Sequence, residues 1–237
     1  TTNSKEYSDM WIPFLRSFAD HQKQRGWFDR TVIAMDERSL DAMQDAYRIA
    51  QEAAPGIKMS LAGNYHKELV DKIYDYCIAW KQQFTPDDLA LRNSKGWIST
   101  SYTACPDEMP NVGSNNEPIE ATYLPLYCLA NGFNGFLRWA WMNWTENPMY
   151  DSRFKLFTPG DTYIVYPGMH SSRRFEHIIR GVQNVAKIET LRKEYKQQKN
   201  LKALQQLEET LFLFMNPTPN EDELKGNIEK MEYLLNR

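Results

Sequence analysis

Short apolar runs alternate along this chain with longer amphipathic stretches. Between residues 11 and 24, Trp11, Phe14, Leu15 and Phe18 form a helical stripe that Gly26 closes. Residues 31–35, Thr-Val-Ile-Ala-Met, form an apolar run of the length expected for a buried parallel strand. A helix is predicted over 39–54, with Leu40, Met43, Tyr47 and Ala50 on one face and Pro55-Gly56 as its stop. A second strand follows at 57–62, broken by Gly63, then a short helix at 67–72 and a third strand at 73–80. Pro86 opens a brief helix to Asn93, 97–103 reads as a fourth strand, and the Pro- and Asn-rich stretch 106–116 as a loop. An apolar helix over 117–130 leads to a fifth strand at 133–139.

Beyond that strand the pattern changes. Residues 154–166 are rich in Phe, Thr, Tyr and Val around Pro159-Gly160-Asp161, which predicts a β-hairpin appended to the sheet. Ser171-Ser172 then cap a long helix whose stripe is Phe175, Ile178, Ile179, Val182, Val185 and Ile188. A charged continuation over 192–200, with a solvated run at 193–202, bridges to 201–214. After a turn at 217–220, a last helix over 221–236 carries Leu224, Ile228, Met231 and Leu235 inward. The fold class is α/β: repeated βα units around a parallel sheet, open or closed into a barrel, with five units visible where a full barrel has eight. The expected division is a barrel-like domain over 1–190 and a helical C-terminal extension over 191–237, packed on the same domain.

Composition narrows the class. With 237 residues, 42% hydrophobic and 13% aromatic, the chain can bury a sizeable core, which argues against disorder. A net charge of −3 without a basic run gives no footprint for nucleic acid. Cys77, Cys105 and Cys128 lack CxxC spacing and sit in apolar surroundings, so they read as buried free thiols. The four His residues are scattered and do not suggest a metal site. No run approaches the roughly 18 apolar residues of a membrane span. The first residues are polar and Met is not among them, which leaves room for a removed leader or a missing N-terminal segment.

The leading chemical candidate is Asp36-Glu37, at the end of the first strand. C-terminal strand ends are where α/β barrels place their chemistry, and a protonated acid beside a charged carboxylate is what glycoside hydrolysis uses. The competing reading is that Asp36 caps the next helix and Glu37 is simply solvated. Arg38 follows the pair and is a cation within reach of Glu37. Sugar rings pack their CH faces on aromatic rings, so Tyr65, Tyr102, Trp139, Trp141 and Trp144, all at or after strand ends, are candidate substrate-binding residues, with core packing as the alternative. Asn64, Asn143 and Glu146 are placed to hydrogen-bond hydroxyls, and His66 shares the Asn64-Tyr65 loop.

The run 132–144 (Gly-Phe-Asn-Gly-Phe-Leu-Arg-Trp-Ala-Trp-Met-Asn-Trp), then Pro148, Asp151-Ser152-Arg153-Phe154, Pro159-Gly160-Asp161-Thr162-Tyr163 and Tyr166-Pro167-Gly168, resembles the catalytic domain of glycoside hydrolase family 123. Arg173, Phe175-Glu176, Arg180-Gly181-Val182-Gln183 and the upstream Asp36-Glu37 extend the match over about 31–187. The resemblance implies a bacterial (β/α)8 TIM-type barrel of which this chain supplies strands four to eight, with the acidic pair following strand four. It implies retaining, substrate-assisted hydrolysis of terminal β-linked N-acetylhexosamine of the β-N-acetylgalactosaminidase type. Asp36 would orient the acetamido group and Glu37 would be the acid/base, with no metal or organic cofactor needed. A periplasmic or secreted location and a glycan or amino-sugar substrate are implied with it. A barrel lacking its first strands leaves a sheet edge open, which predicts self-association or a missing N-terminal segment. The alternative reading is a truncated relative that binds carbohydrate without turnover.

Overall fold

A computed structural model describes residues 2–105 and 109–236. The first three residues of the predicted 106–116 loop fall outside that range. Among the described residues α-helices and strands succeed one another: α1 (Lys5–Gln24), β1 (Val32–Met35), α2 (Leu40–Ala53), β2 (Lys58–Gly63), β3 (Asp75–Ala79), α3 (Pro86–Ser94), β4 (Ile98–Tyr102), α4 (Glu120–Ala130), β5 (Gly135–Leu137), α5 (Arg173–Gln197), α6 (Leu201–Phe212) and α7 (Glu221–Leu235). The five strands make one sheet in chain order. β1 runs parallel to β2 with Val32 opposite Lys58, and β2 parallel to β3 with Ser60 opposite Asp75. The fold is therefore α/β with a parallel sheet and covering helices. The chain divides into two compact units after Thr100, inside β4.

In the first unit the strand patterns follow their neighbours. β1 alternates exposed and half-buried residues, as suits an edge, whereas Tyr76, Cys77 and Ile78 of β3 are all buried, as suits a strand covered on both faces. α1 begins six residues before the predicted start because Ser4 caps it, accepting from the Tyr7 amide. β3 starts later than its apolar run because the carbonyls ahead of it are claimed by a buried arginine. Arg92 donates to the oxygens of Val70 at 2.9 Å, Ile73 at 2.7 Å and Ile98 at 2.5 Å, and to Ser99 Oγ at 2.8 Å. Burial lowers its guanidinium to about 10. This knot ties α3 to the N-terminal ends of β3 and β4, the end of such sheets that serves stability. The helix predicted at 67–72 is a single tight turn, Lys67–Leu69.

In the second unit, α4 is buried from Glu120 through Cys128. Gly181 lets α5 approach it: a Cβ there would stand 2.6 Å from the Thr122 carbonyl oxygen and 2.9 Å from Pro125 Cγ. The buried line of α5 is accordingly Arg174, Ile178, Gly181, Asn184 and Ile188, and Val182, expected inward, is 53% exposed. Tyr123 of α4 packs on Phe214 and donates to the Asn216 carbonyl, which holds the α6–α7 connection. Ion pairs Arg180–Glu232 and Arg192–Glu208 link α5 to α7 and α6. The α7 residues Leu224, Ile228 and Met231 are buried as predicted.

The predicted hairpin at 154–166 does not form. The segment holds only isolated antiparallel bridges, Met142 with Tyr163, Phe154 with Phe157 and Tyr166 with His170. A hairpin lying on a sheet alternates buried and exposed residues, but Asp161, Thr162, Tyr163 and Ile164 are all buried in succession. Their backbone bonds go elsewhere: Ile164 donates to the Trp141 carbonyl and Asn143 to the Thr162 carbonyl. Two of the three cysteines, Cys77 and Cys128, are buried, Cys105 is half-buried, and all are free thiols. Among the described residues no helix is long and apolar enough to cross a membrane, and no group of three or more His, Cys, Asp or Glu could hold a metal ion.

Candidate active site

β1 ends at Met35, and the next four residues run without regular structure into α2. Asp36 and Glu37 sit in that turn, where successive side chains need not point to opposite faces as they would in a strand. Asp36 is exposed. Its Oδ1 accepts the Glu37 amide at 3.0 Å and its Oδ2 meets Arg38 Nη1 at 2.5 Å, the Asp36 and Arg38 side chains both being largely in solvent. The cation after the pair thus faces Asp36, and its only bond to Glu37 is to the backbone oxygen, at 2.9 Å.

Glu37 is half-buried and held from β2. Its Oε1 accepts the Asn64 amide at 2.9 Å and Asn64 Nδ2 at 2.5 Å. Gly63, the last residue of β2, makes room for it. A Cβ at position 63 would stand 2.8 Å from Glu37 Cδ and 2.9 Å from Cγ, closer than carbon atoms approach. Asn64 is held in turn. Gln82 Nε2 donates to its Oδ1 at 2.6 Å, and the Tyr76 hydroxyl to its carbonyl at 2.6 Å.

Tyr65 has its hydroxyl committed to Asp88 Oδ2 at 2.8 Å and its ring edge-on to Phe84, 5.7 Å between centroids. Burial and the Asp88 carboxylate push that phenol up to about 12. Asp88 is 1% exposed and forms a capping box with Thr85 at the start of α3. Burial alone would raise its carboxyl, but hydrogen bonds from Lys67, Tyr65 and Thr85 outweigh it and hold the group at about 2. A depressed folded value means that the stabilisation is complete above the ordinary value of 3.8 and disappears as pH falls toward 2. Asp88→Asn is therefore expected to cost about 2 kcal/mol at pH 6, and the gap from the parent should close near pH 2, as read from urea midpoints at both values.

The second unit carries the remaining candidates. Tyr102 ends β4 half-buried. Trp139, 50% exposed, donates its indole N–H to Asp161 Oδ2 at 2.9 Å and stacks on Phe157 at 5.3 Å. The other carboxylate oxygen of Asp161 takes Arg138 Nη2 at 2.5 Å in a pair withdrawn from solvent. Trp141 meets Phe175 edge-on, and Trp144 donates to the Val165 carbonyl. Asn143 and Glu146 project as exposed polar residues. The structure thus gathers Glu37, Asn64 and Tyr65 in one network beside Asp36, and Trp139, Trp141, Asn143 and Trp144 along one loop system.

Sequence reasoning missed Gly63, Gln82, Asp88 and Asp161 as parts of these networks. Thr85-Pro86-Asp87-Asp88 was a readable capping box, and a glycine ending a strand was a readable sign of close approach. Gln82 and Asp161 act on residues 18 and 22 positions away, for which a single sequence carries no local signal.

Comparison with known proteins bears on what these networks serve. No curated protein sequence matches the chain. A solved family 123 glycoside hydrolase from Clostridium perfringens, described by its glycolipid glycan hydrolysis, superposes with a TM-score of 0.82 at 26% identity, covering 100% of this chain and 45% of that one. The chain thus spans about half the length of that relative. The model of the glycoside hydrolase 123 catalytic domain matches residues 1–191, most of the chain, and so the chain belongs to glycoside hydrolase family 123.

Proposed function

We propose that the chain is the Asp36–Glu37 half of a retaining β-N-acetylgalactosaminidase, supplying strands four to eight of a (β/α)8 barrel. It would act on terminal β-linked N-acetylhexosamine of a glycan in the periplasm or outside the cell. The observation that carries this reading is Glu37, a carboxyl fixed at the C-terminal end of β1 by two N–H donors while its second oxygen, Oε2, has no bond among the described residues. In the proposed reaction the 2-acetamido oxygen attacks C1 as the bond to the leaving oxygen breaks, and that oxygen takes the proton of Glu37. Glu37, now a carboxylate, then removes a proton from water as the water opens the cyclised intermediate at C1, giving retention. Asp36 accepts the acetamido N–H. Of its four lone-pair directions two are occupied among the described residues, by the Glu37 amide and Arg38. No enzymatic nucleophile is required in such substrate-assisted chemistry. Trp139, Trp141, Trp144 and Tyr102 are proposed as surfaces for sugar rings, with Asn143 and Glu146 bonding hydroxyls. Asn64 and Tyr65 act through Glu37 and Asp88.

The test is hydrolysis of 4-nitrophenyl β-N-acetylgalactosaminide with the product anomer followed by NMR. The β-anomer should form first, and a thiazoline mimic of the cyclised intermediate should bind far more tightly than galactose lacking the acetamido group. Release of the α-anomer, or equal binding of the two sugars, would overturn the mechanism. Glycan binding without any turnover would favour a non-catalytic relative.

A further inference from the structure

The side chain that bonds Glu37 is itself held by Gln82, two hydrogen bonds away from the carboxyl. After β3 the Gln82 amide donates to the Ala79 carbonyl at 3.1 Å, closing a four-residue turn whose third residue, Lys81, has φ 73°. A non-glycine residue in the left-handed region is strained, so the turn is held by what surrounds it. It presents Gln82 to two partners at once. The Tyr65 backbone N–H donates to Gln82 Oε1 at 2.5 Å, and Gln82 Nε2 donates to Asn64 Oδ1 at 2.6 Å.

These bonds have a compulsory direction. A backbone N–H can only donate, so the Gln82 atom facing Tyr65 is its oxygen and the atom facing Asn64 is its NH2 group. An NH2 group can only donate, so the Asn64 atom it meets is the oxygen, which turns the Asn64 NH2 group toward Glu37. Oε1 of Glu37 is then an acceptor on two counts, from the Asn64 backbone N–H, which donates whatever Gln82 does, and from the side-chain NH2 group that Gln82 turns toward it. A carboxylic acid has one proton, and the only oxygen left to carry it is Oε2.

We propose that Gln82 is a positioning residue for Glu37: through Asn64 it adds the second donor that holds Oε1 as an acceptor and leaves Oε2 as the oxygen that delivers and recovers the proton. This rests on the reading of Glu37 as the acid/base. Gln82→Glu tests it with little change of shape, because the new carboxylate still accepts the Tyr65 amide but, ionised, cannot donate to Asn64. For a substrate whose leaving group is a sugar, and so needs protonation, kcat should fall about tenfold to a hundredfold with KM nearly unchanged. For a 2,4-dinitrophenyl glycoside, whose leaving group departs unprotonated, turnover should be retained. Equal losses on both substrates, or on neither, would overturn the proposal. Glu37→Gln run in parallel separates the two ideas: if it lacks the same leaving-group dependence, the acid/base reading itself fails. A readout that needs no turnover is the Asn64 side-chain amide in 15N-edited NMR spectra. Its protons should exchange slowly in the parent and faster in Gln82→Glu, and unchanged exchange would likewise sink the relay.

Discussion

Replacing Glu37 by Gln should lower kcat for a glycan leaving group by about a thousandfold, the range over which a positioned acid/base contributes. Gln fits the same space and can still accept from Asn64, so the loss would report the missing proton rather than a collapsed turn. A 2,4-dinitrophenyl glycoside should lose far less in its first step. Gly63→Ala should fall in the same direction for a different reason. Its methyl group would stand 2.8 Å from Glu37 Cδ, and either the carboxyl or the end of β2 must move. A displacement of that size at a reacting group is worth about a hundredfold. Steady-state kinetics on both substrates, with melting curves to verify the fold, check the pair. Wild-type rates in Glu37→Gln on the sugar leaving group would remove Glu37 from the chemistry.

The sheet was legible because buried parallel strands are short apolar runs between turn residues, and β1, β2 and β4 lie within one or two residues of where that pattern puts them. β3 and β5 came out shorter for a reason that apolar pattern does not encode. The carbonyls ahead of β3 serve Arg92, and the residues after β5, Arg138 and Trp139, are tied to Asp161. The hairpin failed similarly: a run of Thr, Tyr, Ile and Val has strand-like composition whether it pairs with itself or is buried whole against neighbours. Asp36 and Glu37 could be singled out because strand ends are privileged positions. Asn64 could be named only as a residue able to bond a hydroxyl, and Gln82 not at all, since their part in aiming Glu37 emerges only when the direction of each hydrogen bond is traced.

Asp161→Ala is expected to destabilise the second unit by about 3–5 kcal/mol, the cost of leaving a buried charge without its partner. Arg138 and Asp161 are only 0% and 2% exposed at their side chains, so water cannot replace the lost carboxylate. Arg138 Nη1 keeps its bond to the Thr103 carbonyl, and Nη2 keeps the Asp161 backbone oxygen, so the guanidinium is held in place while its charge goes uncompensated. Removing both charges, as in Arg138→Met with Asp161→Leu, should cost less than Asp161→Ala alone, because an apolar pair has no desolvation to recover. The carboxylate also accepts the Trp139 indole, whose ring leans on Phe157. Asp161→Asn, which is nearly isosteric, should therefore perturb Trp139 fluorescence, read against a Trp139→Phe control, as well as the denaturant midpoint. A double variant losing as much as the two single losses together would mean that Arg138 and Asp161 do not act as a pair, and unchanged fluorescence in Asp161→Asn would mean that the indole is held by its stacking alone.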